Sequence, residues 1–119
     1  MRIAIPTDGR KGMDDTVSQH FGRCLTYTFL DEEGELLEII ENSGEHRGGT
    51  VKPPHLLKEH EADVLLCRGL GPRAIRLFDG FGIEVYVCQA QTVKEIFHLW
   101  KEKKLSPASE NDACREHRH

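Results

Sequence analysis

Val64-Leu65-Leu66-Cys67 is a run of four apolar residues with no polar position between them. Such a run has no face to show to water, so it reads as a central strand of a sheet. Gly69-Leu70-Gly71-Pro72 follows, and Pro72 suits the first turn of a helix, where a missing N–H costs little. Ala74, Ile75 and Phe78 give that helix an apolar stripe, and Gly80 and Gly82 end it. Ile83–Val87 is then a further strand, rich in β-branched residues. A strand, a helix and a second strand in this order make a βαβ unit, which requires parallel pairing.

The rest of the chain adds to this unit on both sides. Arg2–Pro6 reads as a strand and Thr7–Met13 as a polar, Gly-rich loop. Leu25–Leu30 and Leu36–Ile40 are two strands joined by the turn Asp31-Glu32-Glu33-Gly34, a hairpin and hence antiparallel. Asn42–Thr50 is a loop, and Pro53-Pro54 opens a short helix that carries Leu56, Leu57 and His60. Thr92 and Glu95 have the spacing of a capping box, ahead of an apolar stripe at Val93, Ile96, Phe97 and Trp100. The expected fold is α/β: a mixed sheet with helices packed against it. Residues 1–105 form the single domain, and residues 106–119 a flexible tail that opens with the linker-like Ser106-Pro107-Ala108-Ser109 and carries Cys and His.

A net charge of −4 lacks the basic footprint of a general nucleic-acid binder. No apolar run approaches the ~20 residues that span a bilayer, and Pro6 cuts short any leader-like start. These points predict a cytoplasmic protein with neither nucleic-acid nor membrane partners. The four cysteines, Cys24, Cys67, Cys88 and Cys114, form no C-x-x-C pair, and disulfides are not expected in that compartment. Cys67 and Cys88 end apolar segments and read as buried thiols, whereas Cys24 and Cys114 have polar or basic neighbours.

Four segments carry chemistry beyond folding. Ser18–Cys24 places His20, Arg23 and Cys24 together just before the hairpin: imidazole and thiolate are metal ligands, and guanidinium recognises anions. The alternative is a turn in which Phe21 plugs the core and the polar groups face water. Gly69, Gly71 and Arg73 open a helix, whose free N–H groups favour anions, although a plain βα turn closed by Pro72 has the same composition. His46 lies in a Gly-rich loop as a candidate ligand or lid, or as part of an exposed loop. Cys114, His117 and His119 give Cys-x-x-His-x-His, three ligands suited to zinc, copper, nickel or iron if a further group completes the site, or else an incidental tail. His55, His60 and His98 read as helix-surface residues. A metal-dependent hydrolase needs several converging carboxylates, and only Asp8 stands at a plausible strand end.

The segments Arg2–Asp8, Val17–Arg23 and Gly69–Ala74, in that order, resemble the dinitrogenase iron–molybdenum cofactor biosynthesis family, which includes NifX-type carriers and the C-terminal domain of NifB-type proteins. The resemblance covers about the first hundred residues. It implies a ribonuclease-H-like motif with a mixed, roughly five-stranded sheet, and a non-catalytic carrier of iron–sulfur or molybdenum-containing clusters or their precursors, working between donor and acceptor proteins. His20 matches the family's Ser-x-His-Phe-Gly-Arg motif, and Gly69, Gly71, Pro72 and Arg73 match its Gly-x-Gly-Pro-Arg turn. Cys24 stands where other small residues are common. The Cys/His tail resembles tails in some stand-alone members. A regulatory or interaction module that binds a phosphate-like anion or a partner protein is the alternative, because it would use the same anion site without thiol or imidazole.

Overall fold

Five strands form one mixed sheet in the computed structural model, which describes residues 1–42 and 52–108. The strands are β1 (Ile3–Thr7), β2 (Thr26–Leu30), β3 (Leu36–Glu41), β4 (Val64–Cys67) and β5 (Glu84–Val87). The helices are α1 (Pro53–Glu59), α2 (Pro72–Phe81) and α3 (Val93–Lys101), with a single 3-10 turn at Gly12–Asp14. The strand order is β3-β2-β1-β4-β5. β1 pairs antiparallel with β2 and parallel with β4, and β4 pairs parallel with β5. The hairpin and the βαβ unit therefore meet at β1.

The alternation of side chains along each strand sorts the core into two layers. Ile3, Ile5, Val64 and Leu66 point to one face and pack with Val93, Ile96 and Phe97 of α3. Ala4, Leu65 and Cys67 point to the other, against Leu56 and Leu57 of α1 and Phe78 of α2. All four positions of β4 are buried, as its lack of polar residues requires. Burying a side chain such as Leu57, Phe78 or Ile96 contributes about 1.5–3 kcal/mol.

Local chemistry fixes the ends of these elements. In the β2–β3 turn the Asp31 carboxylate accepts from the N–H groups of Glu33 and Glu35 at 2.8 and 2.9 Å. Gly34 adopts φ +87°, and a Cβ there would lie 3.0 Å from the Phe97 ring, so conformation and space both demand glycine. Gly82 caps α2 in the left-handed region. Thr92 accepts from the Glu95 N–H at 3.1 Å, and the Glu95 carboxylate accepts from the Gln91 N–H at 2.8 Å, which starts α3 where the capping spacing places it.

Two details differ from the sequence reading. β1 does not stop at Pro6 but runs on to Thr7, past its last pair with β4, Ala4–Leu65. Pro107 and Ala108, assigned by composition to a linker, lie along β5: Pro107 bridges Tyr86, and the Ala108 N–H donates to the Val85 carbonyl at 2.6 Å. β5 is an edge strand with free backbone groups, and proline is tolerated at such an edge.

The Thr92 cap gives a direct check on this architecture. Thr92→Ala should lower stability by about 1 kcal/mol and Thr92→Ser by much less. Denaturant unfolding should show a lower midpoint with an unchanged slope.

Candidate functional site

The topology brings the chemistry-bearing segments to one edge of the sheet. β1, β3, β4 and β5 all end at that edge, and β2 begins there: Thr7 pairs with Thr26, Thr26 with Glu41, and Cys67 with Val87. Residues 8–25, 68–71 and 88–92 therefore all emerge at the carboxyl edge. The chain leaves β1 towards β2 on one side and leaves β4 towards β5 on the other, so the strand order reverses between β1 and β4. In open α/β sheets a ligand crevice lies outside the strand ends at such a reversal. The loops that flank it are those containing His20 and Arg73.

A short segment ties the end of β1 to the start of α3. Past the β1–β4 pairs, Thr7 bridges Val17 and the Ser18 N–H donates to the Pro6 carbonyl at 2.9 Å. The Val17 N–H donates to Gln91, and the Val93 N–H to Asp15, at 2.8 and 3.0 Å, so residues 15–18 lie between β1 and the start of α3. Asp15 is buried, with its carboxylate accepting from the Lys11 and Thr16 N–H groups. Beside it Thr7, Thr26 and Thr28 form a buried hydroxyl cluster.

From this support the chain rises into Ser18–Cys24. The Ser18 hydroxyl lies 3.2 Å from the His20 N–H and shapes the turn. Phe21 is buried, 5.5 Å from the Tyr27 ring and 5.3 Å edge-on from Phe78 of α2. The flanking His20, Gly22 and Arg23 are exposed. This is the arrangement of the alternative reading: Phe21 plugs the core and the polar groups face outward. Because Phe78 belongs to α2, the same contact seats the Ser18–Cys24 turn, through Phe21, on the side of the sheet that carries α2. Asn42, which sequence reasoning left in a loop, is buried and donates to the Gly22 and Cys24 carbonyls at 3.0 and 2.9 Å. Its only sequence signal is an Asn immediately beyond a strand.

The second segment follows β4. Arg68, Gly69 and Leu70 are half-buried, and Gly71, Pro72 and Arg73 are exposed. Gly71 is the N-cap of α2 and no side chain caps the helix, so the Arg73 and Ala74 N–H groups have no side-chain acceptor. The Gln89 amide donates to the Arg68 carbonyl at 2.5 Å and ties this turn to the loop after β5. Neither Arg23 nor Arg73 has an ion-pair partner among the described residues, whereas Arg10 pairs with Glu41 at 3.6 Å.

Cys24 is buried, unlike its neighbours. Its thiol donates to the Phe21 carbonyl at 3.3 Å, and the Tyr27 hydroxyl donates to the same oxygen at 2.7 Å. Burial pushes the thiol up to about 11, with the Tyr27 hydroxyl offsetting part of the rise. Burial, and then the adjacent Cys24, also raise Tyr27 above its ordinary range. At neutral pH Cys24 is a protonated core thiol. Cys67 is buried as expected, and Cys88 is half-buried. His46, Cys114, His117 and His119 lie outside the described residues. Among those described, no three His, Cys, Asp or Glu side chains stand together as a metal-ligand group. No described helix is long and apolar enough to cross a membrane.

A sequence profile for the family described as dinitrogenase iron-molybdenum cofactor matches residues 1–103. The protein MJ0580 of Methanocaldococcus jannaschii is 33% identical over 111 residues, covering 88% of this chain and 89% of its own. The fold is also that of the apo orange protein of Desulfovibrio gigas, at TM-score 0.77 and 24% identity over 90% of this chain and 92% of that one. A Thermotoga protein named as a candidate NifB matches at TM-score 0.72 and 28% identity, over 89% of this chain and 91% of its own.

The Cys24 environment sets a pH dependence. A thiol raised from its ordinary 9.0 to about 11 favours the folded state fully below pH 9, and this contribution is lost as pH rises from 9 to 11. The rise corresponds to about 3 kcal/mol. Denaturant melts across that window should show falling stability, with a shallower fall in Cys24→Ala. At pH 8, iodoacetamide followed by peptide mass mapping should label Cys88 and spare Cys24 in the native fold.

Proposed function

The chain belongs to the dinitrogenase iron-molybdenum cofactor family, and on that premise we propose that it binds and carries a metal cluster, or the precursor of one, for metallocofactor assembly without catalysing a covalent step. The cargo is an iron–sulfur or molybdenum-containing cluster, received from a donor protein and passed to an acceptor in the cytoplasm. What supports this reading is the Phe21–Phe78 contact, which seats Ser18–Cys24 against α2, the helix that follows the Arg68–Gly71 turn at the strand-order reversal.

Metal–sulfur clusters and thiometallates are anions, and the rim is suited to them. Arg23 and Arg73 are exposed guanidinium groups, and the uncapped Arg73 and Ala74 N–H groups carry the positive end of the α2 dipole. His20 supplies an exposed imidazole that can ligate a metal and exchange it. Without a closed set of ligands among the described residues, the grip rests on charge and on one imidazole. A carrier must release its load, and a few exchangeable contacts allow that. Gly69 and Gly71 let cargo approach the backbone. Cys24, as a protonated thiol bonded to the Phe21 carbonyl, shapes the loop and comes to the cargo only if Ser18–Cys24 moves. His46 is proposed as a ligand or lid over the same edge. Cys114, His117 and His119 are proposed to hold a borderline metal such as zinc.

Anaerobic titration with tetrathiomolybdate, followed by visible absorbance, tests the central claim. Wild type should bind saturably, more weakly as salt rises, and His20→Ala and Arg73→Gln should each lose roughly tenfold in affinity. No uptake by wild type, with His20→Ala indistinguishable from it, would overturn the reading. Binding of a phosphate ester unaffected by His20→Ala would favour the regulatory anion module.

The tail has its own test. Because Ala108 is bonded to β5, the cut belongs after Ala108. Truncation there should lower the metal content of anaerobically purified protein and leave the melting temperature nearly unchanged. Unchanged metal content would make the tail a bystander.

A further inference from the structure

α2 buries Ile75 and Phe78 against the sheet and turns Arg73, Arg76, Leu77 and Gly80 outward, at helical spacings of three and four residues. Those four and Phe81 line a hollow of about 410 Å³ on the outside of the helix. Leu77 is 37% exposed, so the fold gains little from it, and Phe81 is half-buried. Phe81 leans on α1, where the His55 ring stands edge-on at 5.3 Å and the Lys58 ammonium lies 5.8 Å from the ring centre. Leucine and phenylalanine thus form an apolar floor on a helix face that polar residues usually cover.

Nothing within the described fold calls for glycine at position 80. Its φ is not positive, and a Cβ built on it would meet nothing within 4 Å among the described residues. Gly82, two residues on, supplies the left-handed cap that ends α2. A glycine inside a helix is less favourable than alanine, and this one leaves a dent beside Arg76 and Leu77 where another chain can come close. The charged side chains around the floor are of one sign. Arg73 and Arg76 line the hollow, and Lys58 stands over Phe81. Asp79, the one carboxylate of α2, lines a separate hollow with Ile83 and Ala108 on the β5 side. In a chain of net charge −4, an apolar floor framed by cations selects an occupant that is both apolar and acidic.

We propose that this face of α2 is a docking surface for a partner protein that presents an acidic, amphipathic helix. The apolar side of that helix lies on Leu77 and Phe81 with one side chain over Gly80, and its carboxylates meet Arg73, Arg76 and Lys58. Three cations around an apolar floor suit such a helix better than nucleic acid, which calls for a wider basic footprint. The chain's own hairpin tip, residues 31–37, is also acidic and has exposed leucines at Leu36 and Leu37. It is a turn rather than a helix, however, and a contact from one copy's tip to another's α2 is head-to-tail, which leads to rings or open chains. Docking here goes beyond the carrier reading and needs no bound cluster. Because α2 starts at the carboxyl edge, a docked partner stands next to that edge.

The test is fluorescence anisotropy of the full chain with a labelled helical peptide, leucines on one face and glutamates flanking them, against the same peptide with lysine for every glutamate. The acidic peptide should bind saturably, roughly tenfold more tightly than the basic one, and more weakly as salt rises. Arg76→Glu and Leu77→Gln should each weaken it about tenfold. Gly80→Gln should melt at or above wild type and still bind several-fold more weakly, because it fills the dent. Amide shifts on peptide addition should map to α1 and the outside of α2. No binding of the acidic peptide, equal binding of both peptides, or wild-type affinity in Leu77→Gln and Gly80→Gln would overturn the proposal. Sedimentation showing self-association that Leu77→Gln abolishes would overturn it in favour of a second copy. Capture by anionic vesicles, lost in Leu77→Gln, would overturn it in favour of a lipid surface. Tetrathiomolybdate uptake should be the same in Leu77→Gln as in wild type, and a fall would mark Leu77 as a structural residue and overturn its place in docking. Absence of uptake by wild type would remove the carrier reading and leave the peptide result standing.

Discussion

Phe21 is the joint between the two halves of the molecule. It belongs to the loop that leads into the hairpin, yet its ring packs edge-on against Phe78 of the βαβ unit and also against Tyr27. A buried aromatic pair of this kind contributes about 0.5–1.5 kcal/mol beyond the area it removes from water. Its larger consequence is geometric. With Phe21 seated in the core, His20 and Arg23 on either side of it are turned outward. The Phe21 carbonyl is fixed as well, by the Tyr27 hydroxyl and the Cys24 thiol, and Asn42 holds the carbonyls of Gly22 and Cys24. The loop is thereby braced from below by neutral hydrogen bonds.

The same division of labour bears on the anion site proposed for an acidic chain. The net charge is −4, and of the carboxylates near the carboxyl edge Asp15 and Glu41 are engaged in structure while Asp8 is exposed. Asp15 is buried and bonded to backbone N–H groups, and Glu41 pairs with Arg10. Arg23 and Arg73 carry no such partner among the described residues. The potential at the rim is set by which charges are spent within the fold, and a residue count does not report that.

Several features were legible in the residues. The unbroken apolar run of β4, the prolines opening α1 and α2, the Thr92–Glu95 cap and the Asp31–Gly34 turn each state a local rule strong enough to fix an element. Other features were not. Pro107 and Ala108 read as linker because two small or turn-forming residues have no period, and only the open edge of β5 gives them a partner. Cys24 was not set among the buried thiols because its sequence neighbours are polar, yet it is buried while those neighbours face outward. Asn42 gave almost no local signal, since the carbonyls it holds belong to residues far back along the chain.

The order of residues settled the kinds of element, their ends, the mixed pairing and the family, because propensity, periodicity and capping act over a few neighbours. The three-dimensional arrangement settled which segments meet. The same motifs could have been scattered around the sheet. They share an edge because β1 and β4 run parallel, the chain turns opposite ways after each, and Phe21 is buried between Tyr27 and α2. That is a matter of packing and strand direction over long separations, which no short stretch of sequence encodes.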